Sequence, residues 1–424
     1  MKIAIVGSGI AGNVAAYKLR GEHDLTLFES AAYVGGHTNT VDVYEKGRRI
    51  PIDTGFIVFN DRTYPNFIAL LEEIGQASSA SEMSFSVRSE TGDIEYKGST
   101  LNSLFAQRKN ILRPAFYRMV RDILRFNRET SCGVTDADAG ASLGEYLRHN
   151  RYSREFVDYY LVPMAAAIWS AEPSTIVDMP VGFLVRFFAN HGLLQLKDRP
   201  TWRVVTGGSR EYVGKLVAGH RDQIRLNSPV QSIKRAVDHV EVRSGSGGAE
   251  RFDYVFLACH SDQALGLLDD ATPTEAEVLA AIRYQDNEAI LHTDVAALPT
   301  RRRAWASWNY HVPRDPRRHV AVTYNMNILQ GLDAERQYCV TLNNDRQIRP
   351  DRIIRRVQYQ HPVYSADAVA AQARQAEVNI DRTFYCGAYW RNGFHEDGVV
   401  SALNAVKHFQ ERLVHGKLHL RRAS

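Results

Sequence analysis

Long apolar runs, paired cysteines and a strong charge of one sign are all missing from this sequence. The four cysteines are far apart, and none belongs to a CxxC pair. That spacing gives no disulfide framework and no metal site, so we expect no metal and four reduced thiols in the cytoplasm. No stretch approaches the ~18 uninterrupted apolar residues of a membrane span, and the opening apolar run reads as a strand rather than a signal peptide. A net charge of +4 does not indicate nucleic-acid binding.

A glycine-rich turn follows the first apolar run. The chain opens KIAIVGSGIAGNVAAYKLRGEHDLTLFES, in which Lys2–Val6 predicts a buried parallel strand and the stretch from Ile10 to about Leu19 predicts a helix. A second strand, Leu25–Phe28, ends in Glu29. Between the first strand and the helix, the spacing G-x-G-x-x-G is formed by Gly7, Gly9 and Gly12.

Each part of this pattern has a physical role in binding a dinucleotide. Gly7 permits a tight turn, Gly9 lets a pyrophosphate approach the backbone, and Gly12 lets helix and strand pack closely. The start of the helix offers free N–H groups and the positive end of its dipole to the phosphates. Glu29 can accept both ribose hydroxyls of an adenosine, and an acid there disfavours the 2′-phosphate of NADP.

Two further segments favour FAD over NAD. Gly35-Gly36-His37-Thr38 follows Glu29, and Asp53-Thr54-Gly55-Phe56 comes next. With these segments the chain resembles the amine-oxidase and phytoene-desaturase group of flavoproteins. In that group a Gly-Gly pair lies against the flavin phosphates, and a D-x-G-like segment lies beside the isoalloxazine. The group usually has Arg after the Gly pair where this chain has His37, so one phosphate contact is altered.

The end of the chain resembles the same group. It reads FYCGAYWRNGFHEDGVVSALNAVKHF, and we expect Phe384–Cys386 to be the last strand and Gly398 to about Leu413 to be a helix aimed at the flavin. The usual Gly-Asp of the turn is Gly387-Ala388 here. The resemblance implies noncovalent FAD held by Gly7, Gly9, Ile10, Ala11, Gly12, Glu29, Ser30, Gly35, Gly36, His37, Thr38, Thr54, Gly55, Phe56, Val230, Gly387, Ala388, Phe394, Asp397, Gly398 and Val399.

The resemblance also implies the domain organisation. It predicts an α/β fold, with a Rossmann-like FAD-binding domain of amine-oxidase type and an inserted α+β substrate domain. The FAD-binding domain would be discontinuous, comprising residues 1–60, 201–270 and 371–424. Residues 61–200 and 271–370 would form the substrate domain. The length of 424 residues suits two or three domains.

One stretch of the substrate domain, residues 105–128, is basic and amphipathic. It contains seven Lys or Arg residues and one acid, Asp122, and Pro114 is expected to begin its main helix. Such a helix can make a peripheral contact with an anionic membrane surface. The same pattern also fits a helix whose apolar face packs against the core and whose basic face is exposed to solvent. The sequence leaves both interpretations open.

The substrate segments lack a residue that amine oxidases generally use. Those enzymes carry a lysine that holds a water at the flavin, whereas residues 284–312 contain none. The resemblance places aromatic side chains at the substrate, and we predict a pocket of Tyr389, Trp390, Phe394, Trp308 and Tyr310. The missing lysine makes amine oxidation the alternative rather than the first hypothesis.

Five strings are similar to those of a bacterial branch known as predicted NAD/FAD-binding proteins: LHTD, WASWNY, TYNMNILQ, HPV and GAYWRNGFHEDG. That branch is associated with cyclopropane-fatty-acid-synthase-like methyltransferases and with furan fatty acid desaturation. The resemblance implies that the substrate is an apolar molecule or a methyl-branched acyl chain of a lipid, and that a lipid methyltransferase is a partner.

A desaturation needs a hydride acceptor, a base and a dry slot. FAD would be the acceptor, and His395 and Glu396 are the candidates for the base, although a buried hydrogen-bonded role suits His395 equally. His292, His311 and Tyr310 are weaker candidates. Three alternatives remain: a flavin amine oxidase, a redox-neutral isomerase, and a flavin-binding partner of a lipid methyltransferase without turnover of its own.

Overall fold

The computed structural model describes residues 1–135, 138, 140–195, 197–245, 248–312, 314, 321–343 and 348–422, with side chains as far as residue 414. In chain order the strands are β1 (Lys2–Val6), β2 (Asp24–Phe28), β3 (Thr40–Glu45), β4 (Arg48–Asp53), β5 (Val58–Asn60), β6 (Ser78–Ala80), β7 (Phe85–Ser89), β8 (Ile94–Lys97), β9 (Trp202–Val205), β10 (Ile224–Arg225), β11 (Val230–Arg235), β12 (Val240–Ser244), β13 (Ala249–Phe252), β14 (Tyr254–Leu257), β15 (Arg283–His292), β16 (Trp308–Val312), β17 (Ala321–Asn325), β18 (Cys339–Leu342), β19 (Ile353–Val363) and β20 (Thr383–Tyr385).

Helices lie between these strands and at the end of the chain. They are α1 (Ile10–Leu19), α2 (Pro65–Glu73), α3 (Leu101–Leu104), α4 (Pro114–Thr130), α5 (Leu143–His149), α6 (Arg154–Phe156), α7 (Val162–Trp169), α8 (Pro173–Asp178), α9 (Val181–Asn190), α10 (Arg210–Leu216), α11 (Ser261–Leu267), α12 (Pro273–Ala280), α13 (Met326–Leu329), α14 (Ala366–Gln372), α15 (Gln375–Val378) and α16 (His395–Arg422). Short 3-10 turns include Arg108–Leu112 and Ala388–Trp390, and Val157–Leu161 forms a π-helical turn.

A parallel sheet of five strands forms the base of the fold. Its order is β10-β2-β1-β14-β20, with Ile5 of the central strand opposite Leu27 and Phe256. Both faces of this sheet are covered, which explains the continuous apolar runs of β1 and β14. One face packs against α1 and α16, and the other packs against α11, α12 and α14. The predicted Rossmann-like α/β architecture is confirmed.

The predicted element limits needed small corrections. The last strand is Thr383–Tyr385, so Cys386 follows the strand instead of belonging to it. The C-terminal helix begins at His395 and not at Gly398, and it continues to Arg422. The earlier start places Glu396 and Asp397 in the first helical turn, where carboxylates are stabilised by the helix dipole. A three-stranded antiparallel sheet, β11-β12-β13, precedes β14.

A seven-stranded sheet and a layer of helices form the second half of the molecule. The sheet order is β19-β15-β18-β17-β16-β7-β8, and its strands come only from residues 85–97 and 283–363. The hydrophobic core of this half lies between the seven-stranded sheet and helices α4 to α9. All strands of the five-stranded sheet come from the segments assigned to FAD binding, while the domain boundaries themselves stay a prediction.

The basic helix is anchored to the core. Pro114 begins α4, as predicted, and the helix buries Phe116, Met119 and Phe126. The apolar face of α4 is therefore directed inward. The more exposed apolar residues lie mainly in the preceding segment, where Leu112 is 86% exposed and Leu101 is 77% exposed. Among the described helices, none is long and apolar enough to cross a membrane.

Candidate functional site

The first glycine turn lies between β1, β14 and α1. Gly7 has a φ of +100°, and a Cβ there would be 2.8 Å from the carbonyl oxygen of Ala258. A Cβ at Gly12 would overlap the carbonyl oxygen of Gly7, so helix and strand pack with no room for a side chain. A Cβ at Gly9 would meet no atom within 4 Å. The three glycines thus provide a turn, a close contact and an open approach to the start of α1.

Glu29 is buried beside this turn. One carboxylate oxygen accepts hydrogen bonds from the amide of Ser8 at 2.9 Å and from its hydroxyl at 2.6 Å. The other oxygen accepts from the amide of Ala31 at 2.8 Å and from the Ser30 hydroxyl at 3.3 Å. Because Ser8 lies between Gly7 and Gly9, the acid is fixed next to the dinucleotide loop.

The second glycine pair lies against the first glycine turn. A Cβ at Gly36 would be 3.1 Å from Cα of Gly9, and Gly35 donates its amide to the carbonyl of Ser8 at 3.0 Å. Gly35 and Gly36 have φ values of +132° and +58°. Non-glycine side chains would strain both positions. Two separate parts of the sequence therefore form one cradle of main-chain groups.

The segment after β4 lies directly beneath this cradle. A Cβ at Gly55 would overlap the carbonyl oxygen of His37. The Thr54 hydroxyl lies 3.0 Å from that of Tyr359, and the Phe56 ring is stacked on His395 with centroids 3.4 Å apart.

Asp53 is buried, and its carboxylate links the segment after β4 to three other parts of the chain. Its carboxylate accepts hydrogen bonds from the Ser209 amide at 2.9 and 3.0 Å, from the Thr40 hydroxyl at 2.6 Å and from the Gln330 side chain at 3.0 Å. Burial raises the pKa of Asp53 to about 6.

The start of the C-terminal helix meets the start of α1. A Cβ at Gly398 would be 2.6 Å from Cγ2 of Ile10, so only glycine allows this approach. Val399 is buried in the core that also contains Ile10 and Ala11. The two helix N-termini therefore converge, and their dipoles favour negative charge at the same place.

The turn before this helix is held by its own polar groups. The Gly387 amide donates to the Ser401 hydroxyl at 2.9 Å, and Ala388 begins a 3-10 turn. Asp397 accepts from the Phe394 amide at 2.9 Å and the Asn392 amide at 3.2 Å. Burial raises the pKa of Asp397 to about 6.

Val230, the predicted adenine contact, is the first residue of β11 and is half-buried against the core on the far face of the five-stranded sheet. Its contact with adenine stays a prediction.

The two candidate bases are both engaged by protein groups. The His395 Nε2 lies 2.9 Å from the hydroxyls of both Thr38 and Tyr212, and burial lowers the pKa of His395 well below its ordinary value. Glu396 accepts from the amide of Asn66 at 3.1 Å and from that of Phe67 at 2.9 Å. These are free N–H groups of the first turn of α2, so Glu396 caps that helix.

The predicted substrate aromatics do not form one cluster. Tyr389 and Trp390 are buried in the core of the five-stranded sheet, and their rings lie 5.1 Å apart. Trp308 and Tyr310 lie on β16 of the other sheet. Phe394 contacts the cores of both halves. Contact of Tyr389, Trp390 and Trp308 with a substrate stays a prediction.

One cavity lies where the two halves of the molecule meet. It has a volume of about 510 Å³ and lies between the end of α9, the start of α2 and the turn before α16. Phe394 contributes its apolar wall, Arg62 and Arg391 contribute guanidinium groups, and Asp397 contributes a carboxyl. We call this the Phe394 cavity.

The wall of the Phe394 cavity is a stack of rings. Phe394 is stacked on Phe187 at 5.2 Å, and Phe187 is stacked on His191 at 3.8 Å. Burial lowers the pKa of His191 to about 4, so this ring is neutral near pH 7.

A second cavity of about 540 Å³ lies at the edge of the seven-stranded sheet and includes Tyr310. It is separate from the glycine cradle, since it is lined by α6, α7 and β16. The weaker candidates lie in the same sheet: His292 Nε2 is 2.7 Å from the Thr341 hydroxyl, and His311 Nε2 is 3.0 Å from Glu90. Within the described ranges, no cluster of His, Cys, Asp or Glu is arranged to hold a metal ion.

The family model of flavin-containing amine oxidoreductases matches residues 10–307, which is most of the chain. The chain belongs to this family. The protein is therefore a flavin-dependent oxidoreductase, and the glycine cradle, the buried Glu29 and the two converging helix N-termini fit the dinucleotide form of a flavin.

The wider comparisons agree on the fold. Protoporphyrinogen oxidase 2 of Arabidopsis thaliana is 26% identical over 187 residues, covering 41% of this chain and 34% of that protein. The chain thus spans about a third of that relative's length. Cyclohexylamine oxidase from Brevibacterium oxydans IH-35A superimposes with a TM-score of 0.67 at 14% identity, covering 97% of this chain and 99% of the other. The CLA-producing fatty acid isomerase of P. acnes gives a TM-score of 0.68 at 17% identity, covering 96% and 98%.

The sequence patterns did not predict several residues that line or border this flavoenzyme's site. Arg62, in the turn before α2, and His191, just after α9, line the Phe394 cavity, and His260 and His361 lie close to His37. The HPV string containing His361 was visible in the sequence as a family string only. Its position beside His37 depends on the pairing of β15 with β19, which the sequence does not reveal.

Proposed function

We propose that this flavoenzyme holds FAD noncovalently and removes hydrogen from an apolar acyl chain that carries an anionic group, with a methyl-branched fatty acyl lipid as the leading candidate. The Phe394 cavity is the observation that carries the proposal. Its volume of about 510 Å³ suits a small-molecule site, and it adjoins the turn that leads into α16. Among its lining residues, the Phe394 ring offers an apolar surface on which an acyl chain can pack.

The charged groups of the Phe394 cavity support an anionic head group on that chain. Arg62 and Arg391 both line it, and guanidinium groups bind carboxylate or phosphate oxygens in pairs. Because Arg62 already pairs with the exposed Asp198 at 3.4 Å, Arg391 is the first candidate for this contact. Residues 271–370 contain no lysine, so that segment of the family's substrate region supplies no amino group for the water that amine oxidases hold.

Desaturation removes a hydride and a proton from neighbouring carbons, and the flavin supplies the acceptor for the hydride. The chain must provide the acceptor for the proton. Asp397 is our candidate because it lines the Phe394 cavity and its raised pKa, about 6, suits proton transfer near neutral pH. Phe394 and His191 would exclude water from this carboxyl, and Glu396 would fix the turn by capping α2.

The substrate side of the molecule suits a membrane surface. Leu101, just before the basic stretch, and Ile111, Leu112 and Tyr117 within it are each exposed, and we call these four residues the apolar edge. Arg108 and Lys109 lie within the same segment. Because the apolar face of α4 is itself buried, we assign the peripheral contact to the apolar edge and not to the whole of residues 105–128.

An amine is the second candidate substrate. The buried carboxyl of Asp397 could pair with a cationic nitrogen, and cyclohexylamine oxidase shares the fold. The likeness to a fatty acid isomerase supports an acyl chain to the same extent, since both comparisons rest on the fold alone.

Anaerobic reduction of the bound flavin tests the proposal. The purified protein is mixed with a methyl-branched phospholipid, the corresponding free fatty acid, or cyclohexylamine, and bleaching of the flavin is followed. Bleaching by an acyl compound, with one double bond gained per flavin reduced, supports desaturation. Bleaching by the amine alone overturns it, and a shifted double bond without bleaching indicates an isomerase.

Arg391→Gln serves as the variant and Arg355→Gln, on β19, as the matched control. We expect the Arg391 variant to weaken binding of the acyl compound about tenfold while leaving the flavin bound, since one charged hydrogen bond contributes ~1.5–3 kcal/mol. Product formed by this chain alone, without a lipid methyltransferase, contradicts the idea of a partner protein with no turnover.

A further inference from the structure

Three histidines from distant parts of the chain meet at the carboxyl edge of the five-stranded sheet. The ring centroid of His37 lies 6.1 Å from that of His260 and 5.4 Å from that of His361. His37 belongs to the turn after the second glycine pair, His260 follows β14, and His361 is part of β19. We call these residues the histidine cluster.

The histidine cluster borders the glycine cradle on two sides. His37 directly follows Gly36, whose Cβ would be 3.1 Å from Cα of Gly9. His260 directly follows Cys259, whose amide nitrogen would be 3.3 Å from a Cβ at Gly7. The residues that precede His37 and His260 therefore both contact the Gly7–Gly9 loop, at the edge where a diphosphate binds in this type of sheet.

We infer that the histidine cluster is a protonatable clamp for the diphosphate of FAD, so that FAD binding takes up protons from solvent. The inference rests on the FAD site proposed above. Without an anion the rings hold no charge near pH 7, because burial and mutual repulsion lower the pKa of His37 and His260 to about 4 and that of His361 to about 3. A diphosphate placed among them would reverse this effect by stabilising the imidazolium form.

Among the described residues, only hydrogen bonds to Gln360 favour the protonated form of His37 and His260, and burial outweighs them. Uncharged rings and amides face the cluster: Tyr359 is stacked on His37 at 4.8 Å, Tyr284 is stacked on His260 at 4.3 Å, and the Asn287 amide lies 2.9 Å from Nδ1 of His361. The His37 Nε2 lies 3.2 Å from the carbonyl oxygen of Gln360.

The charged or titratable groups near the cluster do not neutralise it. Asp286 accepts a hydrogen bond from the Gln360 side chain at 2.8 Å, and Glu29 is held by Ser8. Asp262 lies in the first turn of α11, and His395 is a further ring near His37 whose pKa burial lowers well below its ordinary value. Across the described residues, no carboxylate accepts a hydrogen bond from any of the three rings.

The test is the pH dependence of FAD binding to the apoprotein, measured by quenching of flavin fluorescence. FAD has no group that titrates between about pH 6 and about pH 8, so a change in Kd over this range reports the protein. We expect wild-type Kd to be at least about tenfold lower at pH 6 than at pH 8, which corresponds to an average uptake of at least about half a proton per FAD. Riboflavin, which lacks the diphosphate, should bind with no such dependence.

Four variants complete the test. His37→Gln and His260→Gln should lose the pH dependence, and His37→Arg should bind FAD tightly at both pH values because its charge is permanent. Asp397→Asn should keep the dependence, which separates the cluster from a carboxyl that also titrates near pH 6. A pH-independent Kd in the wild type overturns the inference, as does a dependence that survives in both glutamine variants. Failure of the wild type to bind any FAD overturns the cofactor proposal instead.

Discussion

Glu396 is joined to Asn66 by two hydrogen bonds, from the main-chain amide at 3.1 Å and from the side-chain amide at 2.6 Å. The residues are 330 positions apart in the sequence. This contact attaches the start of α16 to the start of α2, and it gives Glu396 a structural role at the border of the Phe394 cavity.

Replacing Glu396 with alanine should destabilise the protein. The variant leaves two N–H groups of α2 without an acceptor, so we expect the free energy of unfolding in urea to fall by about 1–3 kcal/mol. Glu72→Ala, at an exposed position of the same helix, is the control and should change it by less than about 0.5 kcal/mol. Unchanged stability of Glu396→Ala together with lost flavin reduction would contradict the capping role and support the prediction that Glu396 is the base.

Replacing Glu29 with alanine should weaken FAD retention markedly. The carboxylate both orients Ser8 in the glycine turn and is placed to accept ribose hydroxyls, so we expect Kd to rise at least about tenfold. Equilibrium dialysis against FAD measures the change. Glu22→Ala, in the exposed turn before β2, should bind FAD like the wild type. Equal affinity of the Glu29 variant would contradict the assigned site.

The rate of flavin reduction should rise with pH through about 6. Asp397 has its pKa raised to about 6 by burial, and only its ionised form can accept a proton. We expect Asp397→Asn to lose this pH dependence and to reduce flavin about a hundredfold more slowly, measured by anaerobic stopped flow. The asparagine oxygen can still accept from the Phe394 amide, so folding should persist. An unchanged rate in this variant, with the exposed Asp351→Asn as control, excludes Asp397 as the proton acceptor.

Buried histidines should destabilise the protein as the pH falls. His292 has its pKa lowered to about 4 by burial. Its ordinary value is about 6.5, so the unfolded chain binds the extra proton between these values and stability is lost as pH drops from about 6.5 to about 4. We expect His292→Gln to flatten the pH profile of the unfolding free energy by up to about 3 kcal/mol at the acid end. The exposed His149→Gln should leave the profile unchanged.

The apolar edge should contribute to lipid binding. Leu101→Ser combined with Leu112→Ser removes two side chains that are 77% and 86% exposed. If each leucine enters the membrane interface it contributes ~1.5–3 kcal/mol, so binding to vesicles containing anionic lipid should fall at least about tenfold. Val237→Ser, at a position that is 97% exposed on another face, is the matched control. Equal sedimentation of both variants with the vesicles would exclude this surface.

Much of the cofactor site could be predicted because it depends on local backbone geometry. Gly7, Gly9 and Gly12 stand within a single turn, and the requirement for missing side chains follows from the close approach of strand and helix. The position of Glu29 at the end of β2 follows from the parallel pairing of β2 with β1. The C-terminal helix was also predicted, but from Gly398, three residues after its actual start at His395.

The sequence by itself determined the dinucleotide turn and the missing lysine, since these depend on glycine spacing and composition, and its resemblance to a flavoprotein family implied the fold class. Only the tertiary structure decided that Glu396 caps α2, that Asp397 borders a cavity and that His37, His260 and His361 meet. The physical reason is that these contacts join residues separated by up to hundreds of positions. A side chain's charge and role depend on such neighbours, and local sequence carries no information about them.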